Sequence, residues 1–456
     1  MAIEYLGLSE INGPLIALEG VENAAFDEIV EFSINDGEER RFGRIIEIYE
    51  DKAVIQVFEG SEGMSLSNTH TKLTGESLKI ALSDDILGRT LNGIGQPIDG
   101  LSPIAGERKD VNGLPLNPVS RVYPRDYIRT GISSIDGLTT LIRGQKLPIF
   151  SGDGLPHDQL AAQLVNQSSL GDDAKEEFAV VFVAMGVKND VADTFRKSFA
   201  ESGALDHTVM ILNMASDPVV ERLIAPKVAL TTAEYLAFEK DMHVLVVMTD
   251  MTAFAEAMRE VSSSKGEIPS RKGYPGYLYS ELASLYERAG IIDNAEGSVT
   301  QIPILTMPND DITHPIPDLT GYITEGQITL DRALHAKGIY PPVNVLPSLS
   351  RLMKDGIGEG YTREDHQDVA NQLFSAYAKV FDARAIASVI GEDELSDTDK
   401  KYLEFGKEFE ERFIGQGPDS NRTITETLDL GWELLHLIPK EELDRIDTKI
   451  LEKYYE

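Results

Sequence analysis

One short stretch decides the fold of this chain, and it reads Ile149-Phe150-Ser151-Gly152-Asp153-Gly154-Leu155-Pro156-His157-Asp158. An apolar run from Leu147 to Phe150 leads into it, and a helical pattern starts at Gln159. A buried strand, a glycine-containing loop and a helix in this order form the setting of a phosphate-binding P-loop, G-x-x-x-x-G-K-[ST]. The stretch therefore predicts a P-loop-type α/β domain, in which helices cover both faces of a parallel sheet.

Three positions of this pattern carry residues without the required chemistry. Pro156 replaces the last glycine and has no N–H to donate. His157 replaces the lysine and, when neutral, brings no positive charge. Asp158 places a carboxylate where a hydroxyl should hold Mg²⁺, and Asp153 adds a second carboxylate inside the loop.

The energetic consequence is unfavourable for a bound triphosphate. A pair of unit charges about 4 Å apart interacts by about 4 kcal/mol at an effective dielectric constant near 20. One cation is lost and two anions are gained, so we interpret the loop as a degenerate P-loop, or pseudo-site. Its residues are Gly152, Asp153, Gly154, Pro156, His157 and Asp158. Taken by itself, Gly-Asp-Gly fits an ordinary loop equally well.

Composition limits the class of protein. The chain has 456 residues, enough for two to four domains, with 42% hydrophobic and 26% charged residues. It has no cysteine, which excludes disulfides and thiolate metal sites. No apolar run approaches the roughly 20 residues that span a bilayer, so we expect no direct membrane insertion. The first residues lack secretory features, and we expect a cytoplasmic location.

The net charge of −34 is the other bulk property that bears on function. Repulsion from phosphates argues against a nucleic-acid surface or an anionic membrane surface. A basic protein partner or a saline or acidic setting remains compatible with the charge. Most of it is explained by a well-solvated surface.

The sequence pattern predicts three regions. Residues 1–75 contain short alternating strands and a hairpin signal at Asn35-Asp36-Gly37, which indicate a small closed barrel. Residues 76–351 hold the α/β domain. Residues 352–456 are helical, with helix starts at Tyr361–Asp365 and Ser396 and a capping box at Thr423 and Glu426. The parallel strands of the α/β domain are predicted at 147–150, 178–184, 208–212, 243–249 and 301–307.

Asp250 is a second candidate site residue. It follows the apolar strand 243–249, which is the Walker B position of a P-loop protein, where an Asp holds Mg²⁺. The alternative is a core strand that ends at a helix N-cap. The spacing after the loop favours structural equivalence with Walker B, but not metal binding.

The chain resembles the non-catalytic B subunits of the V-type and archaeal-type (V/A) rotary ATPases. The resemblance runs nearly end to end and includes Gly273-Tyr274-Pro275-Gly276-Tyr277-Leu278-Tyr279. Pro341-Pro342-Val343-Asn344-Val345-Leu346-Pro347-Ser348-Leu349-Ser350-Arg351 resembles the signature of the α/β-type subunits. Further matching stretches are 130–136, 150–157, 248–252, 297–308 and 314–327.

The resemblance implies an architecture and a set of partners. The fold would be an N-terminal β-barrel, a central RecA-like α/β domain and a C-terminal helical bundle. The chain would alternate with catalytic A subunits in a ring of three A and three B, around a central rotor stalk and inside peripheral stalks. ATP or ADP with Mg would sit at the A–B interfaces, and this chain alone would bind no cofactor and no metal. The location would be peripheral, on the cytoplasmic side of the membrane.

The resemblance also implies which residues act. Arg351 would reach across the interface to the nucleotide on the neighbouring A subunit, as an arginine finger. Ser348, Thr320 and Tyr322 would line that interface, although a structural turn fits the last two equally well. Val187 stands where catalytic subunits carry a glutamate, and Asp190 is a poor substitute because it is out of register. Gly273–Tyr277 would contact the stalk or a ring neighbour, or else belong to the core.

Two other functions remain as alternatives. An autonomous P-loop ATPase is disfavoured because the lysine, the Ser/Thr and the glutamate are all missing. A RecA-like hexameric nucleic-acid motor is disfavoured by the charge of −34 and by the lack of a basic pore-loop cluster.

Overall fold

The N-terminal region is a β-barrel. The structure is a computed structural model, and it describes residues 4–34, 37, 39–171 and 175–455. In that part of the chain, seven strands pair antiparallel in the order β1-β7-β4-β5-β6-β3-β2. They are β1 (Glu4–Leu6), β2 (Glu10–Asn12), β3 (Leu15–Glu19), β4 (Ile29–Ile34), β5 (Glu39–Tyr49), β6 (Lys52–Val57) and β7 (His70–Leu73).

The barrel closes through its first segment. Strands β1 and β2 are two halves of one bent segment, which pairs with β7 before the bend and with β3 after it. Gly7 makes the bend at φ +85°, and its N–H donates to the Thr69 carbonyl at 2.9 Å. Val30, Phe32 and Ile55 fill the interior. The predicted turn residues Asn35 and Asp36 lie outside the described residues, but β4 and β5 on either side pair as a hairpin.

A connecting segment joins the barrel to the α/β domain. It contains β8 (Lys79–Leu82), β9 (Thr90–Asn92), β10 (Glu107–Asp110), β11 (Arg121–Val122), β12 (Tyr127–Ile128), α1 (Ser133–Asp136) and β13 (Leu141–Ile142). Arg288 fixes this segment to the domain from a position that is 1% exposed. Its guanidinium holds both Glu234 oxygens at 2.7 Å and donates to the Val111 carbonyl at 3.2 Å.

The central sheet has the predicted parallel core. The described strands follow the order β21-β20-β14-β19-β17-β15-β16-β9, and all are parallel except β21. Besides β9, its strands are β14 (Ile149–Gly152), β15 (Phe178–Val187), β16 (Thr208–Met214), β17 (His243–Thr249), β19 (Ser298–Met307), β20 (Gly326–Leu330) and β21 (Val343–Ser350). The short strand β18 (Ile291–Ile292) lies outside this sheet and pairs with β11. The helices are α2 (His157–Gln167), α3 (Asn189–Ser202), α4 (Val219–Phe238), α5 (Met251–Ser264), α6 (Leu278–Tyr286), α7 (Pro315–Ile323) and α8 (Arg332–Ala336).

All five predicted parallel strands are present, with shifted ends. Strand 243–249 matches the prediction, whereas β14 starts two residues later than predicted and runs through Gly152. The sequence pattern did not predict β9, β20 and β21, which join the sheet at its two edges. These strands are short or interrupted by prolines such as Pro347, and edge strands tolerate proline. Local apolar runs therefore identified the centre of the sheet but not its edges.

Both faces of the sheet are buried. Along β15, Val180, Phe182 and Ala184 enter one hydrophobic core, and Val181 and Val183 enter the other. The first core continues into the C-terminal helices, and the second continues to Ile29 and Phe58 of the barrel. The three regions thus share cores, and the predicted boundaries after residues 75 and 351 stay predictions.

The C-terminal region is helical, as predicted. Its helices are α9 (His366–Ile390), α10 (Asp397–Glu408), a π-helical turn (Phe409–Ile414), α11 (Ile424–Leu435) and α12 (Thr448–Tyr454). The capping box of Thr423 and Glu426 and the Ser396 N-cap are both confirmed. The expected helix start at Tyr361–Asp365 is wrong, because α9 begins at His366. Asp365 makes no cap, since its carboxylate accepts hydrogen bonds from Arg363 and Trp432 instead.

Replacement of Arg288 tests how the connecting segment is held. Arg288→Met leaves the half-buried Glu234 carboxylate without the group that donates to both of its oxygens, while the Val111 carbonyl keeps its hydrogen bond from the Thr231 hydroxyl. We expect a loss of about 3 kcal/mol in stability, because breaking a buried ion pair leaves one charge uncompensated. A thermal melt of the chain measures the change. Arg445→Met is the control, because its side chain is 61% exposed, and an equal effect of both substitutions would contradict the interpretation.

Candidate functional site

The loop after β14 turns its backbone donors inward. Gly154 has φ +76°, and α2 begins at His157 after Pro156, which makes no side-chain cap. The Leu155 N–H donates to the Gly152 carbonyl at 3.1 Å, and the His157 N–H donates to the Leu155 carbonyl at 2.9 Å. A P-loop binds phosphate with such N–H groups. Here two are used within the loop, and Pro156 has none.

An internal ion pair lies against this loop. Arg332 donates to both Asp310 oxygens at 2.8 and 2.9 Å, and it also donates to the Asp153 carbonyl at 2.8 Å. A Cβ on Gly152 would collide with the Asp310 carboxylate. The loop therefore has one cation near it, but Asp310 already neutralises that cation, and Arg332 in turn holds the Asp310 pKa below its usual range.

The side chains at the two replaced ligand positions lie close to each other. The His157 ring nitrogen Nδ1 lies 3.1 Å from the Ser151 hydroxyl, and Nε2 lies 3.8 Å from an Asp158 oxygen. Burial raises the pKa of the Asp158 carboxyl, His157 opposes the rise, and Asp250 adds to it. Asp158 and Asp419 also line a cavity of about 390 Å³ beside α2. Within the described residues, no lysine or arginine lines this cavity, so its charge does not suit a phosphate group.

Asp250 acts as a structural carboxylate. It follows β17 and caps α5, where it accepts a hydrogen bond from the Thr252 N–H at 2.8 Å. It also accepts from the Thr306 N–H at 3.2 Å and from the Thr306 hydroxyl at 2.5 Å. These contacts favour the N-cap alternative over metal binding. In the ranges that the structure describes, no group of three His, Asp or Glu side chains could hold a metal ion.

The catalytic-base position is apolar. Val187 is the last residue of β15 and is half-buried. Asp190 lies in the first turn of α3 and is exposed. Valine cannot polarise a water molecule, and Asp190 sits beyond the strand end on a different element. Among the described residues at the end of β15, the position expected for a glutamate thus carries an apolar side chain.

Arg351 directly follows a firmly held strand. The neighbouring Ser350 is buried, donates to the Thr140 carbonyl at 2.9 Å and accepts from the Gln145 amide at 2.9 Å. The Arg351 N–H donates to the Glu325 carbonyl at 2.9 Å. Its side chain is exposed and has neither a hydrogen bond nor an ion pair among the described residues. It lines an open cavity of about 350 Å³ together with Lys354 and Phe374.

The other predicted interface residues divide into buried and exposed groups. Ser348 is buried, accepts from the Thr329 N–H at 2.9 Å and donates to the Asn344 carbonyl at 2.6 Å, so its hydroxyl is fully used. Thr320 is also buried, and its hydroxyl lies 3.5 Å from that of Tyr286. Both positions favour a structural role for these hydroxyls within the chain. Tyr322 is 75% exposed, and its role at a subunit interface stays a prediction.

The two tyrosines of the loop Gly273–Tyr277 likewise divide into one buried and one exposed residue. Tyr274 is buried, donates to the Glu256 carboxylate and meets the His314 ring edge to face at 5.6 Å. Tyr277 is exposed and donates to Glu267 at 2.8 Å. The core alternative therefore holds for Tyr274. The Asp310–Arg332 pair was not predicted from the sequence, because its members lie 22 positions apart and no motif joins them.

A barrel, a P-loop-type α/β domain and a helical C-terminal region define the nucleotide-binding subunits of ATP synthases. Family models match in the same order: the ATP synthase alpha/beta family beta-barrel domain at residues 8–75 and its nucleotide-binding domain at 131–350. The C-terminal domain of V and A type ATP synthase matches residues 355–455. The chain belongs to the ATP synthase alpha/beta family, in the branch of V-type and A-type B subunits.

Several named proteins are similar over almost their full length. The V-type ATP synthase beta chain 2 of Clostridium tetani is 62% identical over 457 residues, which cover 100% of this chain and 99% of that protein. The B subunit of the A-type ATP synthase of Aeropyrum pernix is 57% identical over 453 residues, 99% of this chain and 97% of that one. The solved ATP synthase subunit NeqB of Nanoarcheaum equitans has 41% identity and a TM-score of 0.74, over 93% of this chain and 98% of that one.

The chain is a subunit of an ATP synthase complex. Its central domain is of the family's nucleotide-binding type. Within the part of the chain that the structure covers, no helix combines the length and the apolar character needed to cross a bilayer.

The half-buried Asp158 gives a pH-dependent test of the loop. Its folded pKa is raised, so its ionised form destabilises the folded chain once the pH is above the unfolded value of about 3.9. We expect Asp158→Asn to raise the melting temperature slightly at neutral pH. The gain should vanish as the pH falls below the unfolded pKa, where the carboxyl is protonated in both states. Melting curves across this pH range measure the change. Asp193→Asn is the control, because Asp193 is exposed on α3, and a gain that persists in acid would contradict the assignment.

Proposed function

We propose that this chain is a non-catalytic, regulatory B subunit, which completes ATP sites on adjacent A subunits through Arg351. In this way it couples ATP hydrolysis or synthesis to rotation and to H⁺ or Na⁺ transport. The observation that carries the proposal is the position of Arg351: an exposed guanidinium without a partner in the described chain, held by a buried strand end.

The geometry around Arg351 suits action on a neighbouring molecule. Transfer of a phosphoryl group spreads charge over several oxygens, and a planar guanidinium can hold two of them at once. Such a group must be positioned before reaction, because a mobile side chain would lose entropy at that moment. The bonds of Ser350 to Thr140 and Gln145 hold the backbone next to Arg351 in place. The side chain itself remains open to another subunit.

The loop at β14 supports the non-catalytic part of the proposal. It is a poor fit for Mg–ATP, because it lacks the lysine and the Ser/Thr, Pro156 has no N–H, and the N–H groups of Leu155 and His157 donate within the loop. Asp158 and Asp419 add negative charge beside it. The chain thus has a poor site of its own and a free arginine elsewhere.

The family membership supports the proposed assembly. The chain would alternate with P-loop-intact A subunits in a ring of three A and three B, around a central rotor stalk and with peripheral stalks outside. ATP or ADP with Mg would occupy the A–B interfaces. The complex would place this chain on the cytoplasmic side of the membrane without insertion of its own. Within it, the predicted domains 1–75, 76–351 and 352–456 would be the structural units.

Replacement of Arg351 is the direct test. We expect Arg351→Ala to leave assembly with the A subunit intact and to lower ATP turnover of the assembled complex by about 10³-fold, because trans arginines contribute at least that much. Arg351→Lys should recover only part of the rate, since an ammonium cannot bind two oxygens side by side. Assembly is measured by size-exclusion chromatography and turnover by phosphate release.

A second arginine at a different position is the matched control, because its removal changes the charge of the chain by the same amount. Arg445→Ala removes an exposed arginine from the C-terminal region and should leave turnover unchanged. If Arg351→Ala had the turnover of the unmodified complex, the finger assignment would be wrong.

Restoration of the loop tests the pseudo-site. The triple change Pro156→Gly, His157→Lys and Asp158→Thr returns a donor, a cation and a hydroxyl. We expect ATP affinity of the isolated chain, measured by calorimetry with Mg²⁺, to rise by about tenfold or more, since charge-assisted bonds to phosphate are the strong ones.

The control adds Arg332→Ala to the restored loop, which frees the Asp310 carboxylate and should reduce the gain. If the ATP affinity of the restored chain stays undetectable, other parts of the pocket, and not the loop, cause the loss of ATP binding. ATP hydrolysis by the unmodified chain alone would favour the autonomous ATPase, and salt-sensitive RNA binding would favour the nucleic-acid motor.

A further inference from the structure

A second cavity lies where the barrel meets the α/β domain, away from the loop and from Arg351. Its volume is about 530 Å³, within the range of small-molecule sites. The barrel contributes one wall, helices α4 and α5 contribute another, and α6 closes the side. Neither the pseudo-site nor the interface arginine uses any residue of this cavity.

One part of the cavity is apolar. Ile46 of the barrel, Leu223 of α4 and three residues of α5 line it: Phe254, Met258 and Val261. All five are buried by the rest of the chain. Such a surface favours a compact hydrocarbon group and gives it no hydrogen-bond partner.

Most charges around the cavity are matched within the chain. Arg44 lies 3.3 Å from an Asp27 oxygen, and Asp27 also accepts from the Asn112 amide. Glu267 accepts from the Tyr277 hydroxyl at 2.8 Å and lies 3.7 Å from Lys265. These groups form local pairs and leave little charge for a ligand.

Lys227 and Glu281 differ from the other charged residues. The nearest partner of the Lys227 ammonium is the Asn112 side-chain oxygen at 3.4 Å, and it forms no ion pair within the described ranges. The Glu281 carboxylate has neither a hydrogen bond nor an ion pair in the same part of the chain. Both side chains are half-buried. Burial lowers the pKa of the Lys227 ammonium, Arg44 adds to the lowering, and Glu281 and Asp27 oppose it.

A further donor is left without a partner. The Gln56 side chain is 1% exposed, and its amide nitrogen Nε2 donates to no atom in the described chain. Its oxygen accepts from Arg44 at 3.3 Å. A buried polar group without a partner is costly, and such groups in native proteins call for an explanation. Here it borders a cavity that already contains one unpaired cation and one unpaired anion.

We propose that this cavity binds a small amino acid with an apolar side chain. The ligand carboxylate pairs with Lys227, the ligand ammonium pairs with Glu281, and the hydrocarbon group packs on Leu223, Phe254 and Met258. No ion pair joins Lys227 and Glu281 in the described chain, so a zwitterion can offer each of them the opposite charge that it lacks. A ligand of one charge would satisfy only one of the two.

Three ligands with the same branched hydrocarbon group test the charge pattern on the unmodified full-length chain. L-Leucine carries both charges, 4-methylpentanoate lacks the ammonium, and 3-methylbutylamine lacks the carboxylate. Calorimetric titration should show leucine binding, with each analogue at least about tenfold weaker, because a hydrogen-bonded charge contributes that much. If 4-methylpentanoate bound as tightly as leucine, the zwitterion proposal would be overturned, as it would be if leucine did not bind.

Substitutions assign the two charges to their residues. Lys227→Met should weaken leucine binding at least about tenfold and leave the weak binding of 3-methylbutylamine unchanged. Glu281→Gln should weaken leucine and leave 4-methylpentanoate unchanged. Lys197→Met on α3 is the control and should have no effect, since Lys197 lies outside the cavity. Melting curves check that each variant folds, and leucine affinity that is equal in both variants and the unmodified chain would refute the assignment.

Discussion

Burial of the central sheet on both faces is the constraint on which the rest of the structure depends. Side chains of β15 alternate between two hydrophobic cores, one shared with the C-terminal helices and one shared with the barrel. A parallel sheet needs such cover, because its strands carry apolar residues on both sides. The cover holds the ends of β14 and β21 in fixed places. The loop and Arg351 are therefore set by the same packing, although they are far apart along the chain.

The loop shows how a binding site loses its chemistry without losing its fold. The strand and helix persist because their apolar residues belong to the core, as Phe150 and Leu160 do. The changed residues 156–158 are partly buried but belong to neither hydrophobic core, so their replacement leaves the packing of the sheet in place. The hydrogen bonds of Leu155 and His157 then turn the backbone donors inward. The loop can therefore lose its phosphate-binding residues and keep its fold, because the fold depends on the buried apolar residues of the strand and helix.

Polar residues around the candidate sites serve two purposes, and their contacts distinguish the two. Asp250, Ser348 and Thr320 use their side chains within the chain, so they stabilise local structure. Arg351 and Lys227 lack a charged partner among the described residues, and both line open space. Lys227 is half-buried and Arg351 is exposed beside an open cavity, and we expect another molecule to bind at each of them, because charge-assisted hydrogen bonds are the strong ones.

The sequence by itself determined the class of fold, the five central strands, the degenerate loop and the family. Apolar runs, glycines and caps are local signals, and each acts within a few residues. Only the tertiary structure decided the edge strands, the Asp310–Arg332 pair, the start of α9 and the cavity with Lys227 and Glu281. These features join residues that are distant in sequence, so no local pattern specifies them. Exposure of Arg351 and burial of Thr320 were decided in the same way, because burial depends on what the whole chain packs against each side chain.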